Sequence, residues 1–186
     1  MLGVTRLQPP TPDQPHYRPM SQFKPLPPIQ ELQQAFDYDP ATGIFRNKYR
    51  RARRAKQNEV TGVRKFKKTG QAHKIELTHR SRRLGAHRVA WYLMTGYDPM
   101  ARDVDHKDRN PFNNTFSNLR LATQRQNQSN RVNKGCYPLA NGRFRARIHI
   151  DGKMVDIGYY DTAAEATAAY RSKHIEVHGS FSPYFQ

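Results

Sequence analysis

The residues that could perform chemistry lie in one polar segment, between residues 103 and 131. Asp105 and His106 are adjacent, Asn118 follows the histidine by 12 positions, and Asn127 follows the aspartate by 22. An imidazole, with an ordinary pKa of about 6.5, can accept a proton near neutral pH as a general base. Carboxylate and carboxamide oxygens are the hard ligands that Mg²⁺ prefers. These groups could therefore hydrolyse a phosphodiester, with His106 activating water and a cation held by Asp105 and Asn127 acting as a Lewis acid.

The surrounding sequence predicts the elements that must position these side chains. Val104 between acidic residues indicates a short strand, and the Asn- and Pro-rich residues 108–117 indicate a loop. Residues 118–123 alternate like a strand, and residues 124–131 can form a helix. The order strand, loop, strand, helix can bring the Asp-His pair against Asn127. Asn118 is expected to hold the loop and to orient His106 through hydrogen bonds rather than to contact a metal.

The segment resembles the catalytic motif of HNH endonucleases, in particular the phage and intron-encoded homing type. The resemblance is carried by Asp105-His106, Asn118-Leu119 and Asn127, and upstream by FDYDPATGIFRNK and AHRVAW. It implies a ββα-metal nuclease fold over residues 87–134, with His106 and Asn118 as catalytic residues and Asp105 and Asn127 as ligands of Mg²⁺ or Mn²⁺. It also implies cleavage of double-stranded DNA to leave 5′-phosphate and 3′-OH ends. An isolated Asp-His pair in a polar loop is ordinarily exposed and without a catalytic role, so this interpretation depends on the matched spacing.

The formal net charge of +17 indicates a polyanionic partner. Residues 46–96 carry 16 basic and 2 acidic residues, a net +14, and so account for most of the excess. We interpret them as a surface that follows DNA phosphates with salt-dependent affinity; a solvated run of like charges is the alternative. The expected DNA contacts in this part of the chain are Arg50, Arg51, Arg53, Arg54, Lys65, Lys67, Lys68 and Arg88.

Residues 135–180 have the pattern of a separate unit. In residues 142–150 apolar and basic side chains alternate, Asp151-Gly152 predicts a hairpin turn, and Thr162 with Glu165 predicts a capping box that opens a helix. This segment resembles the DNA-binding domain of plant ethylene-response factors through GRFRARI, VDIGYYDTAAEATAAY and HGSF. The resemblance implies a three-stranded sheet on one helix and DNA contacts at Arg143, Arg145, Arg147 and His149. A charged solvent face on an ordinary hairpin is the alternative. The side chains expected to face the core are Val155, Ile157, Ala166, Ala169, Tyr170 and Val177.

The predicted organisation is an α+β chain in five parts. Residues 1–28 are expected to be a Pro-rich disordered lead-in, and residues 29–86 a basic, antiparallel β-rich region that contacts DNA. Residues 87–134 would form the nuclease domain, residues 135–180 the second DNA-binding domain, and residues 181–186 a tail.

Composition argues against several other classes of protein. No stretch approaches 18 consecutive apolar residues and the Pro-rich start lacks an apolar signal region, so a soluble, cytoplasmic protein is expected. The resemblance to phage enzymes implies a phage-infected bacterial host. Cys136 is the single cysteine, which excludes an intrachain disulfide, and no disulfide-linked partner is expected. A monomer is the simplest expectation.

The alternative function is a non-catalytic, sequence-specific DNA-binding regulator. An RNA-directed protein is less attractive because no aromatic-rich RNA-binding signature is present.

Overall fold

The structure is a computed structural model of the chain, and it describes residues 24–49, 56–100 and 102–185. Most of the expected Pro-rich lead-in lies outside these residues, and so do four of the expected DNA contacts: Arg50, Arg51, Arg53 and Arg54. Over the described residues the chain forms several small antiparallel sheets and four α-helices, which agrees with the predicted α+β class. None of the helices in these ranges is long and apolar enough to cross a membrane.

Two three-stranded sheets form the N-terminal part. Helix α1 (Ile29–Ala35) leads into a sheet of β1 (Phe36–Asp39), β2 (Ile44–Asn47) and β3 (Val60–Thr61), and a second sheet contains β4 (Val63–Phe66), β5 (Ala72–His79) and β6 (Arg82–Gly85). The sequence suggested one small sheet here. The chain instead changes sheets at Gly62, whose φ of 115° lies in the region that favours glycine. Val60 and Thr61 therefore pair with β2 rather than with β5.

Helix α2 (Ala86–Thr95) ends where the sequence predicted. Gly96 adopts the left-handed conformation, and its N–H donates to the carbonyl of Tyr92 at 2.9 Å. The buried face of α2 shares one hydrophobic core with α1, β5 and the strands that follow the helix. The boundary expected between residues 86 and 87 therefore does not coincide with a break in packing.

The segment with the candidate catalytic residues has the predicted order of elements. Strand β7 (Asp103–His106) is followed by a loop, a short 3₁₀ turn (Phe116–Asn118), strand β8 (Leu119–Ala122) and helix α3 (Gln124–Ser129). The two strands pair antiparallel, which places Asp105 opposite Arg120 and His106 opposite Leu119. A capping box between Thr123 and Gln126 fixes the start of α3 directly after β8.

The C-terminal unit has the predicted three-stranded sheet on one helix. Strands β9 (Cys136–Pro138), β10 (Phe144–Ile150) and β11 (Lys153–Tyr160) lie in the order β11-β10-β9 and pack on α4 (Ala163–His178), which opens with the predicted capping box. Ile157 packs on the core as expected, but Val155 is 38% exposed because it lies near the turn on an edge strand. The helix buries Ala166, Tyr170 and His174, whereas Ala169 and Val177 are only half-buried.

The end of the described chain is not a loose tail. A 3₁₀ turn (Gly179–Phe181) follows α4, and the buried hydroxyl of Ser182 lies 2.9 Å from Nδ1 of His174. The Tyr184 hydroxyl donates to the carbonyl of Asn133 at 3.1 Å. Residues 181–185, expected to form part of the tail, therefore join α4 to the chain that follows α3.

Candidate active site

His106 is buried at the end of β7, and a buried asparagine fixes its ring. Nε2 of His106 lies 3.0 Å from Oδ1 of Asn114, a residue that is 1% exposed. In this pairing Nε2–H donates to the amide oxygen, which leaves Nδ1 as the ring atom that can accept a proton. The sequence assigned the orientation of His106 to Asn118, but the structure gives that hydrogen bond to Asn114. Nothing in the local pattern distinguishes Asn114 from the other asparagines of the loop.

Asn118 closes the loop between the two strands. Its side-chain oxygen accepts from the N–H of Asp108 at 3.0 Å, and its amide donates to Asp108 Oδ1 and to the carbonyl of Asn113, both at 2.9 Å. Burial tends to raise the pKa of Asp108, but hydrogen bonds from Asn113, the Asn110 N–H and Asn118 outweigh it, so this pKa is lowered. These are the contacts of a residue that holds the loop.

The turn between β1 and β2 presses against the same loop. The Tyr38 hydroxyl donates to the carbonyl of Asn114 at 2.7 Å, and the N–H of Phe116 donates to the carbonyl of Pro40 at 2.9 Å. Gly43 has a φ of 72°, and a Cβ placed on it would lie 2.5 Å from main-chain atoms of Asn114 and Thr115. Only glycine fits so close an approach, and the loop that fixes His106 is thereby braced from the N-terminal sheet.

His87 packs against the candidate base, and Arg88 is paired with an aspartate. The His87 ring packs against the His106 ring with centroids 5.4 Å apart. Burial, helped by the proximity of His106 and Arg88, lowers the pKa of His87 to about 3, so this imidazole is neutral at physiological pH. Arg88 was expected to contact a phosphate, but its Nη2 donates to Asp98 at 2.9 Å, and Asp98 also accepts from the N–H of Leu26. Arg88 thus joins α2 to the segments on either side of it.

Asp105 is 6% exposed and lies between an arginine and an asparagine. Nε of Arg120 donates to Oδ2 at 2.8 Å, and the amide nitrogen of Asn130 lies 3.1 and 3.2 Å from the two carboxylate oxygens. The same nitrogen donates to the carbonyl of His106 at 2.8 Å. Asn127, the expected partner of Asp105, donates instead to Asp103 at 3.0 Å. The structure therefore joins Asp105 and His106 to Asn130, which lies one turn beyond Asn127.

The donor set suits a hard divalent cation. Asp103 and Asp105 point to the same face of β7, and Asn127 and Asn130 are three positions apart and contact this face. Asn130 is 4% exposed, and its Oδ1 has no hydrogen-bond partner among the described residues. No cluster of three or more His, Cys, Asp or Glu side chains able to hold a metal occurs in the described ranges. A bound ion would therefore depend on few protein oxygens and on water, a pattern that Mg²⁺ tolerates and soft metals do not favour.

The β4–β5 hairpin carries basic side chains and contacts the loop between β7 and β8. Lys67 and Lys68 are exposed, and Lys65 lies 3.8 Å from Glu76. The contact is made by Phe66 and Phe112, whose ring centroids are 5.3 Å apart. The three expected lysine contacts therefore lie on a hairpin that packs against this loop.

The basic face of the C-terminal sheet is partly neutralised by acidic neighbours. Arg145 and Arg147 share Asp156, at 2.6 and 3.4 Å from their Nε atoms, and Arg143 lies 2.9 Å from Asp161. The hydrogen bond from Arg145 lowers the pKa of Asp156. His149 is exposed beside them. Arg145, Arg147 and His149 thus lie on β10 and Arg143 directly precedes it, but Arg145 must exchange a carboxylate for any DNA group that it binds.

Comparison with known proteins bears on the same segment. Residues 84–129 match the HNH endonuclease family. A protein of Acanthamoeba polyphaga mimivirus, named as an uncharacterized HNH endonuclease, is 34% identical over 101 residues, which are 52% of this chain. The chain spans about half the length of that relative, since the match covers 54% of it. No solved structure matches the chain with statistical significance. Residues 84–129, which contain the strand, loop, strand and helix that carry Asp105, His106 and Asn118, are therefore similar to HNH endonucleases.

Proposed function

We propose that this protein is a metal-dependent DNA endonuclease of the HNH homing type, which hydrolyses phosphodiesters to leave 5′-phosphate and 3′-OH ends. The observation that carries the proposal is the buried Asp105-His106 pair, in which Asn114 turns the imidazole so that Nδ1 can accept a proton. A monomer is the proposed acting species, with Mg²⁺ or Mn²⁺ as its cofactor.

The chain's own residues would divide the chemical work. His106 takes a proton from the attacking water, Asn114 keeps its ring in one orientation, and Asn118 keeps the loop closed around both. Asp105 and Asn127 would hold the cation, with Asn130 as a neighbouring oxygen donor. When bound, the cation supplies Lewis-acid stabilisation of the phosphate and of the departing 3′ oxygen.

Double-stranded DNA is the proposed substrate, held by two basic surfaces. The lysines of the β4–β5 hairpin would bind phosphates near the cut, and Arg50, Arg51, Arg53 and Arg54 would extend that contact. Arg143, Arg145, Arg147 and His149 would read the DNA groove from a sheet like that of plant ethylene-response factors. A cleft of about 910 Å³ lies between α3 and the C-terminal unit, and Arg125, Lys134 and Arg147 line it together with Asp151, which pairs with Arg125.

Plasmid nicking by the full-length protein tests the proposal. His106→Ala should reduce cutting in Mg²⁺ or Mn²⁺ by about 100-fold or more, because a general base contributes at least that factor, while DNA binding measured without metal is retained. His73→Ala is the matched control: this histidine is exposed on β5, and its loss should leave cutting unchanged. Wild-type rates in His106→Ala would reject His106 as the base. Comparing Asn127→Ala with Asn130→Ala in the same assay shows which carboxamide sets the cation requirement.

A non-catalytic, sequence-specific DNA-binding regulator is the second candidate. It is favoured by the pairing of Asp105 with Arg120, which already occupies one carboxylate oxygen of an expected ligand. The cutting assay distinguishes the two candidates, since the regulator would bind a defined DNA sequence but would not cut it with Mg²⁺ or Mn²⁺.

A further inference from the structure

One arginine connects the candidate cation ligand to the end of the C-terminal unit. Nε of Arg120 donates to Asp105 at 2.8 Å, while Nη1 of the same guanidinium donates to the carbonyl of Ser180 at 2.5 Å. The guanidinium carbon also lies 4.1 Å from the centroid of the Phe181 ring. Arg120 therefore spans from the strand hairpin of the nuclease domain to the turn that follows α4.

The turn that receives Arg120 is itself held at several points. Gly179 reverses the chain with a φ of 53°, a conformation that favours glycine. Beyond the turn, Ser182 bonds His174 of α4, and Tyr184 bonds Asn133 in the chain that follows α3. The carbonyl of Ser180 and the ring of Phe181 are thus fixed relative to both units.

The contacts of Asp105 restrict the rotation of its carboxylate. An ionised carboxylate offers about four lone-pair sites, and here Arg120 and Asn130 together use three contacts to its two oxygens. The register of the hairpin places Arg120 directly opposite Asp105, so the guanidinium approaches from within the sheet. Such an arrangement orients the remaining lone pair in one direction.

We propose that Arg120 is a positioning residue for the Asp105 carboxylate, and that Phe181 and the Ser180 carbonyl keep Arg120 in place, so that the C-terminal unit sets the cation affinity of the cleavage site. The inference rests on the proposed function, in which Asp105 binds the cation. It predicts the direction of the change in cation affinity: disturbing the Phe181 contact weakens cation binding. If Arg120 merely competed with the cation for the carboxylate, loosening it would strengthen binding instead.

The test is Mn²⁺ binding to the full-length protein, measured by isothermal titration calorimetry, alongside the Mg²⁺ dependence of plasmid cutting. Phe181→Leu keeps an apolar side chain but removes the ring face, and should weaken Mn²⁺ binding about fivefold, within the range expected for a cation–π contact. Cutting by this variant should recover in excess Mg²⁺, which a folding defect would not allow. Phe181→Tyr should restore wild-type affinity, and Phe185→Ala, an exposed aromatic in the same segment, should leave it unchanged.

Each outcome decides one question. Asp105→Asn should abolish the Mn²⁺ signal, which assigns it to this site. Unchanged or tighter Mn²⁺ binding in Phe181→Leu, with a wild-type protein that binds Mn²⁺ and cuts, overturns the positioning role and leaves the nuclease proposal standing. A loss of cutting in Phe181→Leu that no Mg²⁺ concentration restores also overturns it. A wild-type protein that neither binds Mn²⁺ nor cuts DNA overturns the nuclease proposal, and the positioning role with it.

Discussion

Replacing Asn118 with alanine measures how much this residue stabilises the loop between β7 and β8. The substitution removes one hydrogen bond accepted from the Asp108 N–H, one donated to the Asn113 carbonyl and one donated to the Asp108 carboxylate. Asn118 is 9% exposed, so water replaces these contacts poorly. At about 1 kcal/mol for each bond to the main chain and roughly 1.5 kcal/mol for the charged partner, the free energy of unfolding should fall by about 3.5 kcal/mol.

Urea unfolding followed by tryptophan fluorescence is the suitable assay. Trp91 is the single tryptophan, and its ring lies 5.7 Å from that of Phe116, two positions before Asn118. The transition midpoint should drop while its slope with urea stays constant, because the surface exposed on unfolding is the same. Cutting should decline as well, since the loop carries Asn114.

Asn110→Ala is the matched control from the same loop. Asn110 is exposed, and its side-chain oxygen accepts one bond, from the N–H of Phe112 at 3.1 Å. Its replacement should cost under about 1 kcal/mol. Equal destabilisation by the two variants, or a loss of less than about 0.5 kcal/mol for Asn118→Ala, would refute the view that Asn118 closes the loop.

Two further predictions concern the C-terminal unit. Burial, and secondarily His178, lowers the pKa of His174 to about 4, below the value of about 6.5 in an unfolded chain. The folded state therefore binds fewer protons than the unfolded chain. The contribution of His174 to the free energy of unfolding should be fully present above pH 6.5 and be lost as the pH falls toward 4. Urea titrations at pH 7 and pH 5 should show a smaller decline in His174→Gln, and an equally steep decline in the variant would contradict the assignment. Replacing Arg145 and Arg147 together with alanine should relax the choice of target while cation-dependent cutting continues, because base contacts supply selectivity. Sequencing the ends of a cleaved random DNA library measures this, and an unaltered site preference would exclude groove reading by these residues.

Local signals in the sequence predicted the elements well. Gly96 ends α2, and Thr162 with Glu165 opens α4, because each feature depends on neighbours within one helical turn. Asp151 and Gly152 both adopt positive φ, as the hairpin prediction requires. The strand, loop, strand and helix around His106 followed from the same kind of local pattern.

Side-chain partners across the fold could not be predicted in the same way. Two asparagines and one aspartate in the loop between β7 and β8 accept from the N–H two residues ahead, so the path of the loop depends on three similar turns. That path decides that Asn114, rather than Asn118, reaches His106. Similarly, the pitch and position of α3 decide that Asn130 meets Asp105 while Asn127 meets Asp103.

The burial of His174 also escaped sequence reasoning. The predicted packing stripe left His174 out, although this residue lies one helical turn from both Tyr170 and Val177. Ser182, eight positions further on, supplies the hydrogen bond that makes the burial tolerable. Only the return of the chain after Gly179 brings the two residues together.

The close approach of Gly43 to Asn114 and Thr115 has a consequence for the transfer of this motif between proteins. The β1–β2 turn and the loop behind His106 are more than 70 positions apart, yet neither can change shape without the other. A graft that moved residues 84–129 alone into a new scaffold would leave the loop without its N-terminal brace. A fragment that keeps this loop in its present shape therefore begins near Phe36, well upstream of residues 84–129, which match HNH endonucleases.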